Sequence, residues 1–118
     1  MVAPAPVKPP VSKDLLEKLD IRVGTIRRVE AVAASKKLVR LRVHFRDHER
    51  SILAGLRRER AHPEELIGRQ ALFVVNLETK IMAGERSEGM LLDIGYDDDI
   101  VPVLAVPETP VPDGIRAG

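Results

Sequence analysis

The chain has 118 residues, 44% of them hydrophobic and 31% charged, with no cysteine and a formal net charge of +1. That length holds one domain rather than two, and the missing cysteines exclude disulfides and thiolate metal sites. No apolar run approaches the roughly 20 residues that span a bilayer and the N-terminus lacks a signal-peptide pattern, so a cytoplasmic protein with no membrane partner is expected.

The near-neutral total conceals an asymmetry. Residues 1–60 carry 15 Lys/Arg against 7 Asp/Glu, and residues 61–118 carry 4 against 11. Either the molecule has a basic end that attracts polyanions, or the two halves interleave and neutralise each other.

In chain order, residues 1–12 read as a proline-rich flexible arm, with Pro4, Pro6, Pro9 and Pro10 and no apolar period. Residues 13–118 read as the folded domain. Ser12 is placed to cap a short helix with Asp14 in its first turn, and Leu15, Leu16 and Leu19 share one face that needs cover. From Ile21 the period changes to two, predicting a long first strand with a bulge or bend at Gly24. After a turn at Ser35-Lys36-Lys37, the next strand sets Leu41, Val43 and Phe45 against Arg40, Arg42, His44 and Arg46. A row of cations about 7 Å apart on one sheet face suits a polyanion. A third strand runs from Arg50 to Gly55, followed by the basic cluster Arg57-Arg58-Glu59-Arg60. Pro63, Glu64, Glu65 and Gly68 then bracket a helix of about two turns.

A buried strand, Ala71–Leu77, leads into the stretch Asn76–Leu92, which offers Lys80, Glu85, Arg86, Ser87 and Glu88 among small residues. This connection between core strands is longer than a hairpin needs, as in binding loops. Met90–Ile94 forms the next strand, Gly95–Asp99 a turn, and Ile100–Val106 an edge strand broken by Pro102. The order (three strands, short helix, two strands) is that of an all-β OB-fold, a five-stranded Greek-key barrel, here with N- and C-terminal extensions. No nucleophilic triad, phosphate loop or metal constellation stands out, so neither enzymatic activity nor a cofactor is expected.

With these residues placed, the chain resembles the tRNA-binding domain family. That family includes stand-alone structure-specific tRNA-binding proteins, methionyl-tRNA synthetase C-terminal domains and CsaA-type export chaperones. The likeness is carried by Leu19-Asp20-Ile21-Arg22-Val23-Gly24-Thr25-Ile26, Lys37-Leu38, Ala54-Gly55-Leu56, Pro63–Gly68, Asn76-Leu77 and Ser87-Glu88-Gly89-Met90-Leu91-Leu92. The sequence departs from the family at Thr79-Lys80-Ile81, where "PRK" is common.

The resemblance implies binding of tRNA by shape and backbone, with Lys37, Asn76, Ser87 and Met90 at the site. Arg40, Arg42, Lys80 and Arg86 add positive charge. It also implies a homodimer built through the terminal segments, and an aminoacyl-tRNA synthetase as a partner in trans. The alternative it implies is a CsaA-like export chaperone, whose clients are unfolded secretory polypeptides.

Overall fold

The computed structural model describes residues 3–57 and 60–118. Its longest element, β1 (Ile21–Ala31), serves two neighbours in turn. Residues 21–25 pair antiparallel with β4 (Gln70–Val74), and residues 25–31 pair with β2 (Val39–His44). The register with β2 shifts between Ile26 and Arg28, and this bulge bends the strand where it changes partner. The bend therefore lies beyond Gly24, the position expected from the sequence. Gly24 pairs regularly with Ala71 and serves a close approach instead: a Cβ there would lie 2.6 Å from Val43 Cγ1 and 2.7 Å from Phe45 Cε1.

The curled antiparallel sheet runs β3 (Glu49–Ala54), β2, β1, β4, β7 (Met90–Leu91). The part of β1 that β2 does not reach is taken by β10 (Arg116–Ala117), which pairs with Ile21 and Arg22. The Val23 N–H donates to the Ile115 carbonyl and the Gly114 N–H to the Val23 carbonyl, extending that ladder. The fold is mostly β and OB-like. Among the described residues its one α-helix is α1 (Lys13–Glu17), capped as expected by the Ser12 hydroxyl, which accepts from Leu15 N–H.

Alternation in β2 works as the sequence reads it. Val39, Leu41 and Val43 are buried with Phe45, while Arg40, Arg42 and His44 face outward. Ile26, Ile52, Leu56, Leu66 and Phe73 fill the space beneath, with Phe73 edge-on to Phe45. The expected two-turn helix is a single 3₁₀ turn, Pro63–Leu66. Pro63 starts it, and Gly68, at φ 89°, has already turned the chain away, leaving room for one buried side chain, Leu66. The predicted strand at Ile100–Val106 shortens to β9 (Val103–Leu104), paired with β8 (Asp93–Ile94). Residues 3–12 are exposed and carry no regular element, and the remainder of the expected arm, Met1 and Val2, lies outside the described residues.

Because the Gly24 contacts are with core side chains that have no free space to retreat into, Gly24→Ala is expected to destabilise the fold by about 1–3 kcal/mol. Urea unfolding measures this as a lower midpoint with unchanged slope.

Candidate nucleic-acid interface

The outer edge of β3 presents backbone amides at Ser51 and Leu53 that β2 does not use. Side chains meet them. The Glu88 carboxylate accepts from Ser51 N–H at 3.0 Å, and the Ser87 hydroxyl accepts from Leu53 N–H at 3.0 Å while donating to the Gly89 carbonyl at 3.0 Å. The Glu88 N–H returns a bond to the Ser51 carbonyl at 2.8 Å. Arg50 adds a clamp, donating to the carbonyls of Val75 and Glu88. These bonds draw β3 toward the segment entering β7 and close the barrel.

Above this seam the connection read from sequence as one long loop contains a tight hairpin, β5 (Lys80–Met82) and β6 (Glu85–Ser87). Its two turn residues, Ala83 and Gly84, have φ of 50° and 78°, the primed-turn conformation that fits strand twist. The signal is weak in sequence because alanine rarely adopts positive φ. Arg40 holds the hairpin down: its Nε donates to Glu85 at 2.8 Å and its Nη2 contacts the same oxygen, with Glu30 at 3.4 Å. Hydrogen bonding to Glu85 holds the Arg40 guanidinium above its ordinary pKa.

The site residues expected from sequence divide by what their polar atoms already do. Ser87 is the one buried polar side chain among the described residues, 4% exposed, and its hydroxyl is spent on the seam. Asn76 is exposed, but its amide accepts from Asp20 N–H at 2.8 Å and donates to the Lys18 carbonyl at 2.7 Å, tying the segment before β1 to the end of β4. Arg40 is committed to carboxylates. Arg42 donates to the Ser51 hydroxyl at 2.8 Å. Lys37, Lys80 and Arg86 are exposed. Lys80 opposes Ser87 and Arg86 opposes Ile81, so the two cations leave opposite faces of the hairpin. Lys37 and Met90 come together, lining one groove of about 510 Å³.

Other cations, not assigned to the site from sequence, lie beside these. Arg28 is exposed and stands directly across from Arg42 on the outward sheet face. Arg57 donates its N–H to the Lys37 carbonyl and its guanidinium to the Ser35 carbonyl, so Lys36, Lys37 and Arg57 form one basic lip. Arg58 and Glu59, from the cluster noted in sequence, lie outside the described residues. The pairing of Lys37 with Arg57 joins two loops, and no linear pattern reports it. Among the described residues no group of His, Asp or Glu is arranged to hold a metal ion.

Residues 21–116 match the family described as "Putative tRNA binding domain". The methionine–tRNA ligase of Clostridium acetobutylicum is 40% identical over 94 residues, covering 80% of this chain. The chain spans only 14% of that relative's length. Among solved structures, a MetRS-related protein from Pyrococcus horikoshii superposes with a TM-score of 0.84 at 33% identity, over 94% of this chain and 100% of the other. The chaperone CsaA from Bacillus anthracis gives 0.81 at 29% identity, over 93% of this chain and 100% of the other.

The seam makes a stability prediction. Ser87→Ala strands the buried Leu53 N–H and is expected to cost about 1–3 kcal/mol by chemical denaturation. Glu88→Gln keeps an acceptor for Ser51 N–H and is expected to cost less than Glu88→Ala.

Proposed function

The chain belongs to the tRNA-binding domain family, and from that premise we propose that it is a structure-specific tRNA-binding protein, reading tRNA by shape and backbone. The observation that carries this reading is the placement of cations that, among the described residues, form no salt bridge to a carboxylate. Lys36, Lys37 and Arg57 crowd one lip, and Arg28 faces Arg42 across the β1–β2 ladder. Like charges directly opposite on a sheet are unfavourable by themselves, and a bound phosphate converts that cost into attraction. Phe45 and Phe73 are buried, leaving Tyr96 as the exposed aromatic, so there is no row of rings on which to stack a single strand. Contacts to phosphate and 2′-hydroxyl groups support recognition of a folded RNA surface.

Within this reading the roles divide. Lys37, Arg42, Lys80 and Arg86 meet the backbone and Met90 contributes apolar contact. Ser87, Asn76 and Arg40 act as positioning residues, holding the loops that carry the others. The chain is a binding module without catalysis of its own, working in the cytoplasm where tRNA is found. Among the described residues no helix is long and apolar enough to cross a membrane.

Partnership with an aminoacyl-tRNA synthetase in trans is supported by the methionine–tRNA ligases whose appended segment this chain matches. Homodimer formation is supported by Leu15, Leu16 and Leu19, which remain 52%, 60% and 45% exposed beside Ile115 at 43%. Water contact there costs about 25 cal/mol per Å² of apolar surface, and a second copy removes it. A second reading, capture of unfolded polypeptide, is favoured by the likeness to chaperone CsaA and by the exposed apolar side chains Ile81 and Met90.

In a gel shift with bulk tRNA, binding is expected to fall steeply between 50 and 200 mM salt. Lys37→Ala, Arg57→Ala and Arg28→Ala are each expected to weaken binding and flatten the salt dependence by about one phosphate contact. Equal affinity for duplex DNA overturns the tRNA reading, and suppression of client aggregation that added tRNA leaves unchanged supports the chaperone reading. Light scattering is expected to return twice the 13.1 kDa of one chain, and Leu16→Asp to return the single-chain mass.

A further inference from the structure

The groove shared by Lys37 and Met90 holds chemistry that backbone binding leaves unused. Its rim carries Lys37, Met82, Met90, Asp93, Tyr96 and Asp97, contributed by the β1–β2 turn, the hairpin, and β7 through the turn after β8. Tyr96 is the chain's one tyrosine and is 59% exposed, and Met90 is 46% exposed. An exposed ring and two thioethers around about 510 Å³ match the faces of a flat heteroaromatic group, and the volume lies in the range of small-ligand sites.

The polar groups of the rim sort by origin. The cation comes from the turn after β1, and the carboxylates come from β8 and the turn that follows it. Asp93 and Asp97 are both exposed; partial loss of hydration first, and Asp97 second, raise the Asp93 carboxyl above the ordinary range, and this pair gains from N–H donors and is repelled by phosphate. A ligand that satisfies the whole rim therefore carries both a phosphate and N–H donors. A nucleotide is such a ligand. Guanine alone among the four RNA bases offers two parallel donors on its Watson–Crick edge, N1–H and the exocyclic amine, which match the two oxygens of one carboxylate.

We propose that this groove takes one unpaired guanine base of a bound RNA, stacked on Tyr96 and packed by Met82 and Met90, with its Watson–Crick edge at Asp93 and its phosphate at Lys37. The proposal rests on the tRNA-binding reading for its natural ligand. It adds selection of a single base to a surface that otherwise recognises shape.

The test uses full-length protein labelled with ¹³C-methyl methionine, whose signals arise from Met1, Met82 and Met90. Titration with GMP is expected to move the Met82 and Met90 signals, and UMP to bind about tenfold more weakly. Tyr96→Ala and Asp93→Asn are each expected to weaken GMP by about tenfold, with an otherwise unchanged methyl spectrum reporting an intact fold. Equal response to GMP, AMP, CMP and UMP overturns the proposal. So does the absence of any shift with all four while bulk tRNA still binds, a result that leaves the tRNA reading standing. Selective movement by GMP in a protein that does not bind tRNA supports the base site and removes the tRNA reading. Movement by an apolar peptide where no nucleotide acts overturns the proposal in favour of a polypeptide groove.

Discussion

The free edge of β3 is the constraint on which the rest depends. A strand edge presents amides that must find acceptors, and an unpaired edge recruits other chains. Here alternate amides, those of Ser51 and Leu53, are met by the side chains of Glu88 and Ser87, so the barrel closes through a carboxylate and a hydroxyl rather than a continuous ladder. This closure fixes where the β5–β6 hairpin leaves the barrel, and Arg40 fixes its tilt through Glu85. Exposed Lys80 and Arg86 thus project from an element held at both ends, which limits the ordering cost when they meet a ligand.

Electrostatics follow the same division of labour. The basic first half and acidic second half interleave where the fold needs joints: Arg40 meets Glu85 from the second half as well as Glu30 from its own. Around the β1–β2 turn Lys36, Lys37 and Arg57 gather, and there Lys37 shares its groove with Asp93 and Asp97 from the second half. Neighbouring cations in sequence differ in availability because one has a carboxylate in reach and the next does not.

Most of the fold was legible, because strand alternation, a helix cap and an ordered series of turns are local signals. The burial of Val39, Leu41 and Val43 and the capping by Ser12 were readable for that reason. The site was less legible. Ser87 reads as a surface hydroxyl because nothing nearby in sequence announces the Leu53 N–H it serves. Asn76 hides its partners, Lys18 and Asp20, at a still greater remove. Gly24 advertised backbone freedom, yet its use is the space it leaves for Phe45. In each case the residue type was informative and its partner lay far along the chain.

The pairing of β10 with the start of β1 also bears on how the molecule comes into being. Ile21 is synthesised some way before Arg116 and Ala117, and the backbone bonds on that flank of it wait for them. Until then one side of the founding strand stays open, and such long-range closure is slow. During synthesis the edge of β1 at Ile21 and Arg22 therefore stays unpaired until β10 has been made, an interval in which mispairing is possible.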